Sequence, residues 1–149
     1  MLSSFVYENM QVAINLAREN LKAGKIPIAA VVVNSTNNQI IAQAANQDSP
    51  VGHAELIVID KALCLIKSNR LDECDIYVTI EPCPMCAYAI SKCHFNALYF
   101  GAQDVKGGGV LGENKVLNHK NLKPIDFVSH IYEAETANLL TAFFKERRK

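Results

Sequence analysis

The chain has no net charge: among its 149 residues, 15 lysines and arginines are balanced by 15 aspartates and glutamates. It therefore has no whole-molecule field to gather nucleic acid, and only a local basic patch could attract a polyanion. No apolar run approaches the roughly 20 residues that span a bilayer, so a soluble protein with no membrane partner is expected. A secretory-type apolar segment is also missing near Met1, and five cysteines are an odd number. A disulfide framework is thus excluded as an expectation, and the reducing cytoplasm fits better. Neither repeats nor low-complexity tracts break the chain, and no Pro, Gly or Ser cluster precedes Gly107-Gly108-Gly109. With half its residues hydrophobic, the chain can bury a substantial core as one domain over 1–149.

What is present alternates between two periodicities. Val6, Met10, Ala13, Ala17 and Leu21 recur every three or four residues before Gly24, the pattern of an amphipathic helix with a glycine stop. Ile28 to Val33 is a continuous β-branched run, and the polar Ser35-Thr36-Asn37-Asn38 separates it from a second strand over Gln39 to Ala44, as in a hairpin. A helix is expected to open near His53 and run through Leu56, Ile57, Ile59, Leu63 and Ile66. Further strands are expected at Ile76 to Ile80, Ala97 to Gly101 and Phe127 to His130, with a helix from Pro82 and another over Glu133 to Arg148. Strands alternating with helices imply an α/β fold, a three-layer α/β/α sandwich around a central mixed five-stranded sheet. In such sheets, sites form beyond the carboxyl ends of strands.

Chemistry concentrates in two short segments, His53-Ala54-Glu55 and Pro82-Cys83-Pro84-Met85-Cys86. They offer three zinc-type ligands, His53, Cys83 and Cys86, and one carboxylate. A structural zinc closes its shell with four protein groups, whereas a catalytic one keeps a position for water and lowers that water's pKa to about 7. Cys83 and Cys86 at i and i+3 share one face of a helical turn. Pro82 and Pro84 favour a helix start there, and the positive end of that helix is expected to depress both thiol pKa values. His53 and Glu55 point apart if both are mid-helix, but at a helix start His53 can reach the ion while Glu55 approaches its open position as a proton shuttle. Cys64, Cys74 and Cys93 are expected to be small buried hydrophobes, and His94, His119 and His130 lack ligand spacing.

The spacing H-x-E followed by P-C-x-x-C is the signature of zinc nucleobase deaminases. Over nearly its whole length the sequence resembles the cytidine deaminase-like superfamily, and within it the bacterial tRNA adenosine deaminases. The resembling segments are Ile26 to Val33, Asn46, Gly52 to Glu55, Tyr77 to Ala87, Phe100-Gly101-Ala102-Gln103-Asp104 and Phe143 to Arg148. The resemblance implies one zinc per subunit on His53, Cys83 and Cys86, with Glu55 moving protons. It implies hydrolytic deamination of the wobble adenosine of a tRNA anticodon arm to inosine by a homodimer. Asn46 would lie beside the flipped nucleoside, Asp104 would touch its sugar or backbone, and Phe144 with basic neighbours would contact the anticodon loop.

Each of these residues also has a plainer reading. Asn46 can be a turn former and Asp104 a cap or turn residue. Phe143 and Phe144 cannot both face one core, so one is left for a partner. Lys145, Arg147, Arg148 and Lys149 can be a solvated, mobile chain end. Gly107 to Gly109 are expected to make the loop after Asp104 flexible. For the chain as a whole, the rivals are a free-base or nucleotide deaminase acting on guanine, cytosine or deoxycytidylate, a zinc-stabilised binding module, and a thiol-exchange protein.

Overall fold

The computed structural model describes residues 2–147. Its elements run α1 (Ser4–Lys22), β1 (Ala29–Asn34), β2 (Ile40–Ala45), α2 (Ala54–Ile66), β3 (Cys74–Ile80), α3 (Pro84–Lys92), β4 (Ala97–Ala102), β5 (Asp126–Val128) and α4 (Glu133–Arg147). All nine expected elements form, with ends shifted by one or two residues. The expected end of the last helix, Arg148, lies outside the described residues.

The five strands make one sheet in the order β2-β1-β3-β4-β5. β1 pairs antiparallel with β2 and with β3, while β3–β4 and β4–β5 are parallel. The mixed character follows from the connections: the turn after β1 is too short for anything but a hairpin, whereas α3 gives β3 the crossover that a parallel neighbour needs. β1 and β3 are central and buried almost throughout, which explains why they read as unbroken apolar runs. β2, at the edge, alternates exposed and buried positions in its second half.

Helices cover both faces. Ala54, Val58 and Ala62 of α2 and Ala87 and Ile90 of α3 pack with Val32, Ile76, Val78, Leu98 and Phe100. Val6, Met10, Ala13 and Ile14 of α1 pack with Val31, Val33 and Tyr77 on the opposite face, where Leu139 of α4 joins them. The three layers are therefore α1/α4, sheet, and α2/α3. At the end of α1, Gly24 takes φ +78 and Lys25 N–H returns 2.9 Å to Asn20 O, the glycine stop expected after a helix.

Register places the ends that matter on one edge. Ala29 opposes Ala45, and Ile80 opposes Ala102. Because β1 and β3 are antiparallel, the start of β1 lies on the same edge as the carboxyl ends of β2, β3 and β4. The segments that follow those three ends, beginning at Asn46, Glu81 and Gln103, all emerge there.

Leu98 is fully buried at the centre of the α2/α3 core, whereas Leu65 on α2 is 65% exposed. Leu98→Ala is expected to destabilise the protein by about 3 kcal/mol and Leu65→Ala by less than about 0.5 kcal/mol, read from urea unfolding midpoints at constant slope.

Candidate metal centre and active site

Two helix starts converge at this edge. His53 is the residue immediately before α2 and Cys83 the residue immediately before α3, both with extended backbone and neither capping with its side chain. Their carbonyls accept the first helical bonds, from Ile57 N–H at 3.1 Å and Ala87 N–H at 2.8 Å. Each side chain is thus held by its backbone yet left free to point outward. Pro84 occupies the first turn of α3, where its fixed φ suits a helix and its missing N–H costs nothing. Cys86 follows one turn on, on the same face as Cys83.

His53 Nδ1 lies 3.6 Å from Cys83 Sγ and 3.4 Å from Cys86 Sγ, and the three ligand atoms all fall within 4.8 Å of one another. The donor set fits a tetrahedral ion. Bonds of about 2.3 Å to sulfur and about 2.05 Å to nitrogen at the tetrahedral angle set an N–S edge of about 3.6 Å, the separation found. This is the group of His, Cys, Asp and Glu side chains found among the described residues that could hold a metal.

Charge at the site is tuned by burial and by the sulfur pair. The Cys83 thiol is pushed down to about 5, first by the hydrogen bond with Cys86, with backbone and His53 contributions opposing its desolvation. Cys86 moves up instead, through the same bond and its burial. The expectation that both thiols would be depressed is therefore corrected. A helix start acts on both sulfurs, but two sulfurs sharing one proton cannot both ionise easily. A bound dication would release the second proton.

Glu55, in the first turn of α2, is 3% exposed. Its carboxyl is pushed up to about 7, chiefly by desolvation; Cys83 raises it further, while His53 and a bond to Cys86 lower it. The carboxyl therefore borders the ligand set without belonging to it, and it can hold or release a proton near neutrality.

The remaining sequence candidates fall into two groups. Asn46, at the end of β2 and 7% exposed, accepts Ala54 N–H on Oδ1 at 2.7 Å. It thereby satisfies an orphan donor of α2 that His53 leaves open, so it belongs to the metal edge and also fixes the approach of α2. Asp104 and Phe144 line a separate cleft of about 450 Å³ with Ile26, Ile28, Ile80 and Lys106. Neither His53, Glu55, Cys83 nor Cys86 lines that cleft, because α4 carries Phe144 on the α1 side of the sheet while the ligands sit on the opposite layer. Asp104 also acts as a turn residue, its Oδ1 accepting Gly107 N–H at 3.0 Å. Phe143 is buried and Phe144 half exposed, the division expected of adjacent helical positions. Arg147 is not a loose tail: its guanidinium lies 4.7 Å from the Phe143 ring centroid and reaches Gly24 O. Arg148 and Lys149 lie outside the described residues. Of the other cysteines, Cys74 is buried and Cys93 half buried just beyond α3, but Cys64 is exposed. The last corrects an expectation, since Cys64 falls on the solvent side of α2.

Sequence reading missed Glu81. It is 2% exposed, and its carboxyl accepts N–H groups from Asp104 (2.9 Å), Val110 (3.0 Å) and Leu111 (2.8 Å). The signal was a charged residue closing an apolar strand immediately before the cysteine motif. Replacement of Cys83 by serine is expected to abolish stoichiometric zinc, whereas Cys93→Ser, which lies outside the ligand set, is expected to retain it; elemental analysis after dialysis makes the comparison.

The chain has known relatives. The MafB19-like deaminase family matches residues 6–148. The tRNA-specific adenosine deaminase of Bacillus subtilis (strain 168) is 39% identical, over 94% of this chain and 89% of its own length. A solved structure from work on A-to-I editing by tRNA:A34 deaminases at the wobble position of transfer RNA superposes with a TM-score of 0.83 at 36% identity, covering 89% of this chain and 99% of that one. A guanine deaminase from Nitrosomonas europaea superposes with a TM-score of 0.80 over 96% of this chain and 85% of its own, but at 20% identity it attests to the shared fold alone. With a family match over almost its full length and a relative at 39% identity, this chain belongs to the deaminase family that includes the tRNA-specific adenosine deaminases.

Proposed function

We infer that the protein is a zinc-dependent hydrolase that converts the wobble adenosine of a tRNA anticodon loop to inosine, with release of ammonia. One observation carries the chemistry: three soft and borderline donors meet at tetrahedral separations beside a buried carboxyl that titrates near neutrality. His53, Cys83 and Cys86 would hold the ion, which when bound supplies Lewis-acid activation of a water.

The chain's own groups do the rest. Glu55 takes a proton from the attacking water, delivers it to ring N1 as the oxygen adds to C6, and returns a second proton to the amine that leaves as ammonia. Burial suits this role, since a carboxyl with its pKa near the working pH can both accept and donate. Asn46, anchored at the mouth of α2, would meet the base taken out of its stack. An unpaired loop nucleotide makes that extraction cheap, at a few kcal/mol or less. Asp104 and Phe144 would receive the flanking anticodon loop in the cleft round the sheet edge, where Lys106 supplies local positive charge.

The single domain over 1–149, the cytoplasmic setting and a homodimer belong to the same reading. Met85 and Tyr88 are both large, apolar and more than a third exposed on α3. They stand at i and i+3 beside the cysteines, so a second copy would cover them at the site's margin. No helix among the described residues is long and apolar enough to cross a membrane.

Incubating zinc-loaded protein with a tRNA bearing an adenosine wobble base, in parallel with guanine and cytosine, tests the assignment. Inosine in the tRNA is expected, and turnover of a free base alone would replace this reading with its rival. Glu55→Ala is expected to keep zinc but lose turnover by about three orders of magnitude or more; loss of the metal would show that Glu55 is a ligand. Affinity for tRNA is expected to fall as salt rises, with a log–log slope more negative than about −1. A slope of zero would remove the basic patch from the account.

A further inference from the structure

The three consecutive glycines Gly107 to Gly109 read as a flexible loop in the sequence, and the structure gives Gly108 and Gly109 a different part, close packing against neighbouring segments. Gly109 N–H donates to Pro82 O at 2.7 Å, and Val116 N–H returns to Gly109 O at 2.7 Å. A Cβ added at Gly109 would meet the backbone of Pro84 at 2.6 Å and of Cys83 at 2.8 Å; one added at Gly108 would collide with the Glu81 carboxyl. These glycines are there because the loop lies directly against the segment carrying Cys83, leaving no room for side chains.

At the centre of the contact is Glu81. Taking a carboxyl from water is costly unless donors replace the solvent, and here three backbone N–H groups do so, from both ends of the segment 104–111. Its partners are all main chain, so it fixes backbone and not a particular side chain. One end of that segment, Asp104 to Lys106, forms a wall of the cleft with Phe144. The other end covers the start of α3.

We propose that Glu81 is a positioning residue: through segment 104–111 it sets the distance between the nucleic-acid cleft and the metal centre, so that a flanking nucleotide held in the first presents the reacting base to the second. The proposal rests on the deaminase reading for its functional consequence, but its structural half stands separately. Glu81 is not among the candidate metal donors, and both its carboxylate oxygens are occupied by backbone N–H groups. Its loss is felt as a cleft held at the wrong place, which weakens the capture of tRNA while the reacting groups His53, Glu55, Cys83 and Cys86 keep their arrangement.

The test uses the full-length zinc-loaded protein. Asp104 N–H faces one carboxylate oxygen and the N–H groups of Val110 and Leu111 face the other, so Glu81→Gln, which replaces one oxygen by an amide, is expected to speed hydrogen exchange by about tenfold or more on at least one of these two sides. Zinc content should stay stoichiometric, KM for tRNA should rise by about tenfold, and kcat should stay within about twofold. Gly108→Ala, which displaces the same carboxyl from the other side, should reproduce this pattern if Glu81→Gln folds poorly. Gly109→Ala presses on the Cys83 backbone and should instead lose zinc. Unchanged exchange at the three amides, exchange that quickens without a change in KM, or a loss confined to kcat would overturn the proposal. Should the wild-type protein leave tRNA unaltered, the deaminase reading falls by that result, while the exchange data still decide whether Glu81 holds the segment.

Discussion

Everything at the site depends on bringing His53 within 3.4–3.6 Å of two sulfurs about thirty residues further along the chain. A flexible chain would pay the closure entropy of that loop on every encounter. Here the sheet has already paid it. The antiparallel β1–β3 pairing brings the start of β1 to the carboxyl end of β3, and the β1–β2 hairpin carries Ala45 to the same edge. From there α2 and α3 begin, each presenting its first residues to the same point. The donor cluster is a consequence of strand direction before it is a property of the ligands.

The same edge reconciles two demands that conflict elsewhere. In the proposed reaction Glu55 is buried so that its proton is useful near neutrality, yet a buried carboxyl threatens stability unless its surroundings compensate. α2 solves this by placing Glu55 in its first turn, where helix-end donors favour negative charge, and His53 alongside lowers its pKa while desolvation raises it. Glu81, two residues before Cys83, is equally buried but is fully occupied by backbone donors. Two buried carboxyls at one edge thus have opposite fates, one left available to exchange a proton and one committed to holding chain in place.

Most of the fold was legible because periodicity reports burial, and burial in this chain is sharply divided. The unbroken apolar runs Ala29 to Val33 and Ile76 to Val78 became central strands, and the spacing of Val6, Met10, Ala13 and Ala17 became the face of α1. The cluster of candidate donors was legible because soft donors at i and i+3 after a proline have few other uses. Four things were not legible. Long-range hydrogen bonds to backbone leave no periodic trace, so Glu81 passed unnoticed. Glycine looks the same in sequence whether it serves mobility or close approach, so Gly108 and Gly109 were misread. The solvent side of a helix as hydrophobic as α2 is weakly marked, which is why the exposure of Cys64 needed the structure. The separation of Phe144 from the candidate metal centre by the sheet edge likewise depends on which layer α4 joins, a choice that local pattern does not record.

The bond from Ala54 N–H to Asn46 Oδ1 also restricts what the edge can recognise. A carboxamide normally offers both polarities and can rotate to suit whatever arrives. With its oxygen held toward the helix, Asn46 keeps both amino hydrogens on its other end, and turning it over would set two donors face to face. A molecule approaching the amino end of this side chain would have to bring a lone pair, as a purine ring nitrogen or carbonyl does, so the backbone has already fixed which end of this amide is left for a neighbour.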